Sequence, residues 1–180
     1  ARRLFLWDGY QEIGIDHFAR PEDSIAVAAR TGHLRRNFQG YTDDTCDVLI
    51  GLGASAISRF PQGFAQNASS TAAYQKAVRA GQMATGRGHV FKGEDRLRAR
   101  MIEMLMCDFH IDSAALMRDF DVPHERLAAI YAKAADQFAG MLTIDAKGLG
   151  ILPQGRALTR MIARTLDAYE TQGQGHSSAI

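Results

Sequence analysis

The chain has 180 residues, 46% of them hydrophobic, enough for a buried core in one large domain or two small ones. Its 21 Lys plus Arg against 20 Asp plus Glu leave no long-range field to draw it onto DNA or an anionic membrane, so a charged partner has to be gripped locally. Two cysteines, Cys46 and Cys107, are too few for a disulfide framework and fit no spaced metal cluster, and no apolar run reaches the roughly 18–20 residues of a membrane span.

A reducing cytoplasm suits these features, and no secretory signal is visible. The opening ARRLFLWDGY lacks a methionine and falls within an element, so the expectation is a piece of a longer protein. In YQEIGIDHFAR, Ile13 and Ile15 alternate with Glu12, Gly14 and Asp16, which predicts one strand with two different faces. On such a strand Asp16 and the adjacent His17 point apart and form no dyad. EDSIAVAARTGHL predicts a helix that opens on acidic residues and closes at Gly32. CDVLIGLG then reads as a buried strand, and the order of elements predicts an α/β layer with a parallel sheet. FPQGFAQN is a loop by composition, SSTAAYQKAVRAG a capped helix ending at Gly81, and GRGHVFKG a short strand at best.

A boundary near residue 91 separates this half from a mostly helical one. Leu97, Met101, Leu105 and Phe109 recur at helical spacing, as do Leu127, Ile130, Tyr131, Ala134 and Phe138 after Pro123. A last helix is defined by Leu158, Met161, Ile162, Leu166 and Tyr169. Between them MLTIDAKGLGILPQG predicts a β-hairpin about a Lys-Gly-Leu-Gly turn, giving a winged-helix-like bundle. Methionines 101, 104, 106, 117, 141 and 161 read as packing, and Cys107 as an inert buried thiol. The closing TQGQGHSSAI reads as loose.

The chemistry-bearing stretch is residues 35–58, RRNFQGYTDDTCDVLIGLGASAIS. Gly51, Gly53, Ala54, Ser55 and Ala56 follow an apolar run, so backbone there can approach a flat ligand or simply pack tightly. Asn37, Phe38, Gln39 and Tyr41 combine amides with rings, a set suited to stacking and edge hydrogen bonds or to a polar loop crossing. Arg35 and Arg36 carry planar forks that match carboxylates, or form a solvated surface pair.

GYQEIGIDHFAR, HLRRNFQGYT, DVLIGLGASAIS and FAQN, in that order, resemble the C-terminal part of oxygen-independent coproporphyrinogen III oxidase. The likeness continues through LMCDFHID and QGRALTRMIARTLDAY. It implies a radical S-adenosylmethionine (SAM) enzyme in which a 4Fe-4S cluster reduces SAM, and the 5'-deoxyadenosyl radical takes hydrogen from a propionate. Decarboxylation leaves a vinyl group, and two such events convert coproporphyrinogen III to protoporphyrinogen IX. The implied fold is the C-terminal part of a partial TIM-like barrel over residues 1–90, a winged-helix-like domain over 91–172, and a flexible tail over 173–180.

By the same resemblance Phe38 and Gln39 match positions lining the active site beside SAM, and Ile57 matches one whose main chain contacts the cofactor. Arg36 is a candidate propionate clamp, inferred from charge. The family's cluster ligands sit in a CxxxCxxC motif of the N-terminal half, for which neither cysteine here substitutes. No catalytic residue or metal ligand is therefore expected in this chain, which should be inactive alone. Its implied partners are that N-terminal half and coproporphyrinogen III, in an enzyme expected to be monomeric, with no nucleic acid or membrane. Asp43 stands where the family often has the second of two threonines. Two alternatives are a haem-chaperone type relative, disfavoured by RNFQGYT, and a winged-helix nucleic-acid binder. The second lacks a basic excess, with 11 Lys plus Arg against 12 Asp plus Glu from Phe91 onward.

Overall fold

The computed structural model describes residues 1–169, so the tail expected over 173–180 and the 172 end of the second expected domain lie outside the described residues. After α1 (Arg2–Trp7), β1 (Gln11–Ile13) and β2 (His17–Ala19) form an antiparallel hairpin where one continuous strand is expected. The alternation is interrupted because Gly14, at φ 56°, turns the chain, and a Cβ there would overlap the Tyr41 ring. The next element, α2 (Ser24–Arg30), starts as predicted: the Asp23 carboxylate accepts the Ile25 amide at 2.9 Å, and Ala26 and Ala28 are buried.

β3 (Arg35–Arg36) and β4 (Tyr41–Thr42) form a second antiparallel pair around the Asn-Phe-Gln-Gly turn. A third sheet has the order β5-β6-β7, from β5 (Ile57–Phe60), β6 (Gly63–Asn67) and β7 (Thr85–Val90). The stretch expected as a loop, FPQGFAQN, supplies the turn and second strand of this sheet. Between β6 and β7 runs α3 (Thr71–Arg79), capped by the Ser70 hydroxyl.

The expected parallel sheet is thus corrected: among the described residues every strand pairing is antiparallel. Several links are tight hairpins, whereas a parallel pair needs a long crossover. CDVLIGLG is not a buried strand either. It joins the third sheet through a single bridge between Leu49 and Arg59, and leaves Ile50 58% and Leu52 84% exposed.

The second half follows its periodicity. In chain order come α4 (Asp95–Asp108), β8 (His110–Asp112), α5 (Ser113–Phe120), α6 (His124–Gln137), the hairpin β9 (Leu142–Asp145) and β10 (Gly148–Ile151), a 3-10 turn (Pro153–Leu158) and α7 (Thr159–Thr165). The hairpin reverses at Ala146 and Lys147, earlier than the expected Lys-Gly-Leu-Gly turn, and β10 is the central strand of sheet β8-β10-β9. Leu97, Met101, Leu105, Leu127, Ile130, Tyr131, Leu149 and Ile162 belong to the main core. Of the methionines assigned to packing, Met101, Met104 and Met106 are buried, but Met161 is exposed, because α7 turns only its Ile162 face inward.

α4 also joins the two halves. Its Cys107 packs in a smaller cluster with Ile13, Ala26, Leu34 and Tyr41. The Tyr41 hydroxyl accepts the Ile15 amide at 3.0 Å and donates to the Met106 carbonyl at 2.8 Å. That carbonyl lies in the last turn of α4, where no helical amide reaches it.

Candidate functional site

The Asn-Phe-Gln-Gly turn is built locally. The Asn37 side-chain oxygen accepts the amides of Gln39 at 2.8 Å and Gly40 at 3.2 Å, and the Asn37 amide donates to the Gly40 carbonyl. This lifts Phe38 and Gln39 to an exposed tip, from which the Phe38 ring meets Phe64 edge to face at 5.0 Å. Arg36 sits on β3 against α4, where its amide donates to Glu103 at 3.3 Å and its guanidinium lies 5.8 Å from the Tyr41 ring centre. Its Nε is buried and has no hydrogen-bond partner.

The second wall is the small-residue turn before β5. Ser55 and Gly53 take positive φ values of 61° and 107°, and side chains of the third sheet and α3 tie the turn down. Asn67 Nδ2 donates to the Gly51 and Gly53 carbonyls at 3.1 and 2.9 Å, and Gln66 Nε2 donates to Ser55 at 2.8 Å. The Gly51 and Gly53 amides donate to Ser58 Oγ and Tyr74 OH. A Cβ on Gly51 would come within 2.8–2.9 Å of the Ile57 main chain, so at Gly51 the missing side chain serves tight packing. Gly53 instead opens on empty space, with nothing within 4 Å of an added Cβ.

The four candidate residues fall into two neighbouring places. Ile57 pairs with Gln66 and Arg59 with Phe64, so alternation puts Ile57, Arg59, Phe64 and Gln66 on one sheet face. Phe38 leans on that face, and Gln39 stays at the exposed tip. Arg36 lines an adjacent cavity of about 220 Å³ together with Arg35, Arg59, Arg100 and Glu103. Arg59 therefore belongs to both places. Sequence reasoning missed Arg59 and Glu103, the second 67 residues from Arg36.

The Asp16–His17 expectation is corrected too. Asp16 lies in the hairpin turn, so its Oδ1 reaches His17 Nδ1 at 2.7 Å, while Oδ2 accepts from Arg160 at 2.5 Å. The His17 ring stands against Tyr41, beneath the turn.

The two thiols differ by environment. Burial pushes Cys107 up to about 12, whereas Cys46 is exposed at the cavity and raised mainly by its hydrogen bond to Asp44. At pH 8 about one Cys107 in ten thousand is then thiolate. Iodoacetamide at that pH is expected to add one label, at Cys46, and a second only in denaturant; mass spectrometry showing early Cys107 labelling would contradict this. Among the described residues no three His, Cys, Asp or Glu side chains are grouped to hold a metal, and the two cysteines do not fit an iron-sulfur cluster.

No family model matches the chain. An oxygen-independent coproporphyrinogen III oxidase of Paracoccus denitrificans is 58% identical over 180 residues, which is 100% of this chain and 40% of that protein. Its counterpart in Cereibacter sphaeroides is 54% identical over 174 residues, 97% of this chain and 39% of its own length. The solved coproporphyrinogen III oxidase of Escherichia coli, described as a radical SAM enzyme, superposes with a TM-score of 0.85 at 36% identity, covering 93% of this chain and 39% of that one. The chain belongs to the oxygen-independent coproporphyrinogen III oxidase family. It spans about two fifths of the length of the oxidases it matches. The mixed α/β fold is shared with the oxidase from Escherichia coli, and FAQN, one of the blocks carrying the oxidase resemblance, contains the Gln66 and Asn67 that hold the small-residue turn.

Proposed function

We propose that this chain is one part of a radical SAM oxidoreductase that oxidatively decarboxylates two propionates of coproporphyrinogen III to give protoporphyrinogen IX. The observation that carries the reading is the 58% identity running through all of the chain to an oxidase of that name. In this reading residues 1–90 complete the barrel and residues 91–172 form a winged-helix-like domain packed on it, consistent with the α4-β8-α5-α6-β9-β10 order. The exposed Val48, Ile50 and Leu52 would be covered by the rest of the polypeptide.

SAM and a 4Fe-4S cluster supply the radical chemistry, with cluster ligands outside this chain. The residues described here bind and orient. Phe38 offers a ring face or edge, Gln39 an amide, Ile57 main-chain groups on a strand braced through Gly51, and Arg36 a cation for a propionate. Compartment and oligomeric state are proposed as cytoplasmic and monomeric. No helix among the described residues is long and apolar enough to cross a membrane.

The test is a chimera in which this chain replaces the matched segment of the Paracoccus denitrificans oxidase. It is expected to bind a 4Fe-4S cluster and to form protoporphyrinogen IX anaerobically at within about tenfold of the parent rate, since aligned positions share most side chains. A folded, cluster-loaded chimera that forms no vinyl product refutes the reading.

A further inference from the structure

The cavity beside Arg36 has a charge arrangement that protein groups leave unbalanced. Its wall carries the guanidinium groups of Arg35, Arg36, Arg59 and Arg100 against three carboxylates. Glu103 is engaged by Arg100 at 2.5 Å and by the Arg36 amide, and Asp44 accepts the Cys46 amide at 2.9 Å. Arg36 Nε is the one buried side-chain polar atom without a partner among the described residues. A buried N–H left unpaired is unfavourable, and a charged donor more so, which favours an anion arriving to complete it. Arg59 comes from β5, across the cavity from β3, so two guanidinium forks from two different sheets face one space.

The volume narrows the ligand. At about 220 Å³ the cavity holds roughly seven waters' worth of space, enough for a carboxyethyl arm and too little for a tetrapyrrole ring. The guanidinium fork matches the two oxygens of a carboxylate.

We propose that Arg36 and Arg59 form a two-sided carboxylate pocket that takes one acid arm of the bound small molecule, with Arg59 its binding residue on the sheet side. This deepens the porphyrinogen reading and rests on it for the source of the arm. A second carboxylate of the same chemistry is the amino-acid end of SAM.

The experiment uses the full-length chimeric oxidase defined above and its Arg59→Met, Arg59→Lys and Arg36→Met variants, with Arg79→Met, on the exposed part of α3, as control. Binding of coproporphyrin III, of its tetramethyl ester and of SAM is measured by calorimetry, and the Arg36 Nε–H resonance is followed by NMR. The expected result is that the acid binds about 10- to 100-fold more tightly than the ester, moves the Arg36 resonance, and loses this preference in Arg59→Met. Arg59→Lys keeps part of it, and Arg79→Met all of it. If Arg59 dependence appears with SAM and not with coproporphyrin III, the pocket stands with the amino acid as its source, and the porphyrinogen reading loses its support here. If Arg59→Met and Arg36→Met alter neither ligand, the pocket is overturned while the family membership is untouched.

Discussion

Gly148→Ala is expected to unfold most of the second half, lowering stability by more than about 4 kcal/mol. Gly148 opens β10 at φ 143°, and a Cβ there would overlap the Ile111 carbonyl oxygen and sit 3.1 Å from the Ser113 amide nitrogen. Both obstacles are backbone, so no side-chain rotation relieves them. The strand that has to shift is the centre of sheet β8-β10-β9 and carries Leu149 and Ile151 into the core. A loss of this size is a large share of the roughly 5–15 kcal/mol that holds an ordinary domain together. Urea unfolding followed by circular dichroism measures it. Gly140→Ala is the control, at φ 77° with nothing within 4 Å, where only the left-handed backbone is strained, at about 1–2 kcal/mol. Equal losses at the two sites would show that the overlap at Gly148 is not what matters.

Tyr41→Phe is expected to be the next most damaging of these changes, although it removes a single oxygen. That oxygen satisfies both the Ile15 amide and the Met106 carbonyl, one from the β1–β2 turn and one from the last turn of α4. Each buried group left unpaired costs about 1–3 kcal/mol. The loss falls where the Asn-Phe-Gln-Gly turn is attached to the helical half, so Phe38 and Arg36 should lose order along with it. The pH dependence has a definite sign. Burial holds the Tyr41 hydroxyl above its ordinary value, so its contribution is complete below about pH 10 and is lost as pH rises toward the folded-state value. Wild-type chain should therefore weaken in alkali more steeply than Tyr41→Phe. Parallel alkaline slopes in urea titrations would remove Tyr41 from this role.

Local features were legible because their causes lie within a few residues. The acidic opening of α2, the capped start of α3, the helical spacing of Leu97, Met101 and Leu105, and the presence of a hairpin ahead of the last helix all read correctly, although that hairpin reverses earlier than its glycines suggest. Asn37 closes its own turn, so RNFQGYT acts as a unit in the sequence as well as in space. The sheets were misjudged because strands of two to six residues carry too little pattern to distinguish parallel from antiparallel pairing. Asp16 and His17 were placed on opposite faces because one glycine at positive φ turns an apparent strand into a hairpin.

The sequence alone determined the helical spacing of α2, α3, α4 and α6 and which family's motifs the chain carries, since those depend on spacing along the backbone, whereas α1 and α5 were not read from it. Tertiary structure alone decided that Arg59 faces the cavity of Arg36, that Glu103 reaches β3 from α4, and that an apolar run over 46–53 lies exposed. Such meetings depend on how separate elements pack, and packing is set by the whole chain's balance of burial and hydrogen bonding, which no local window contains.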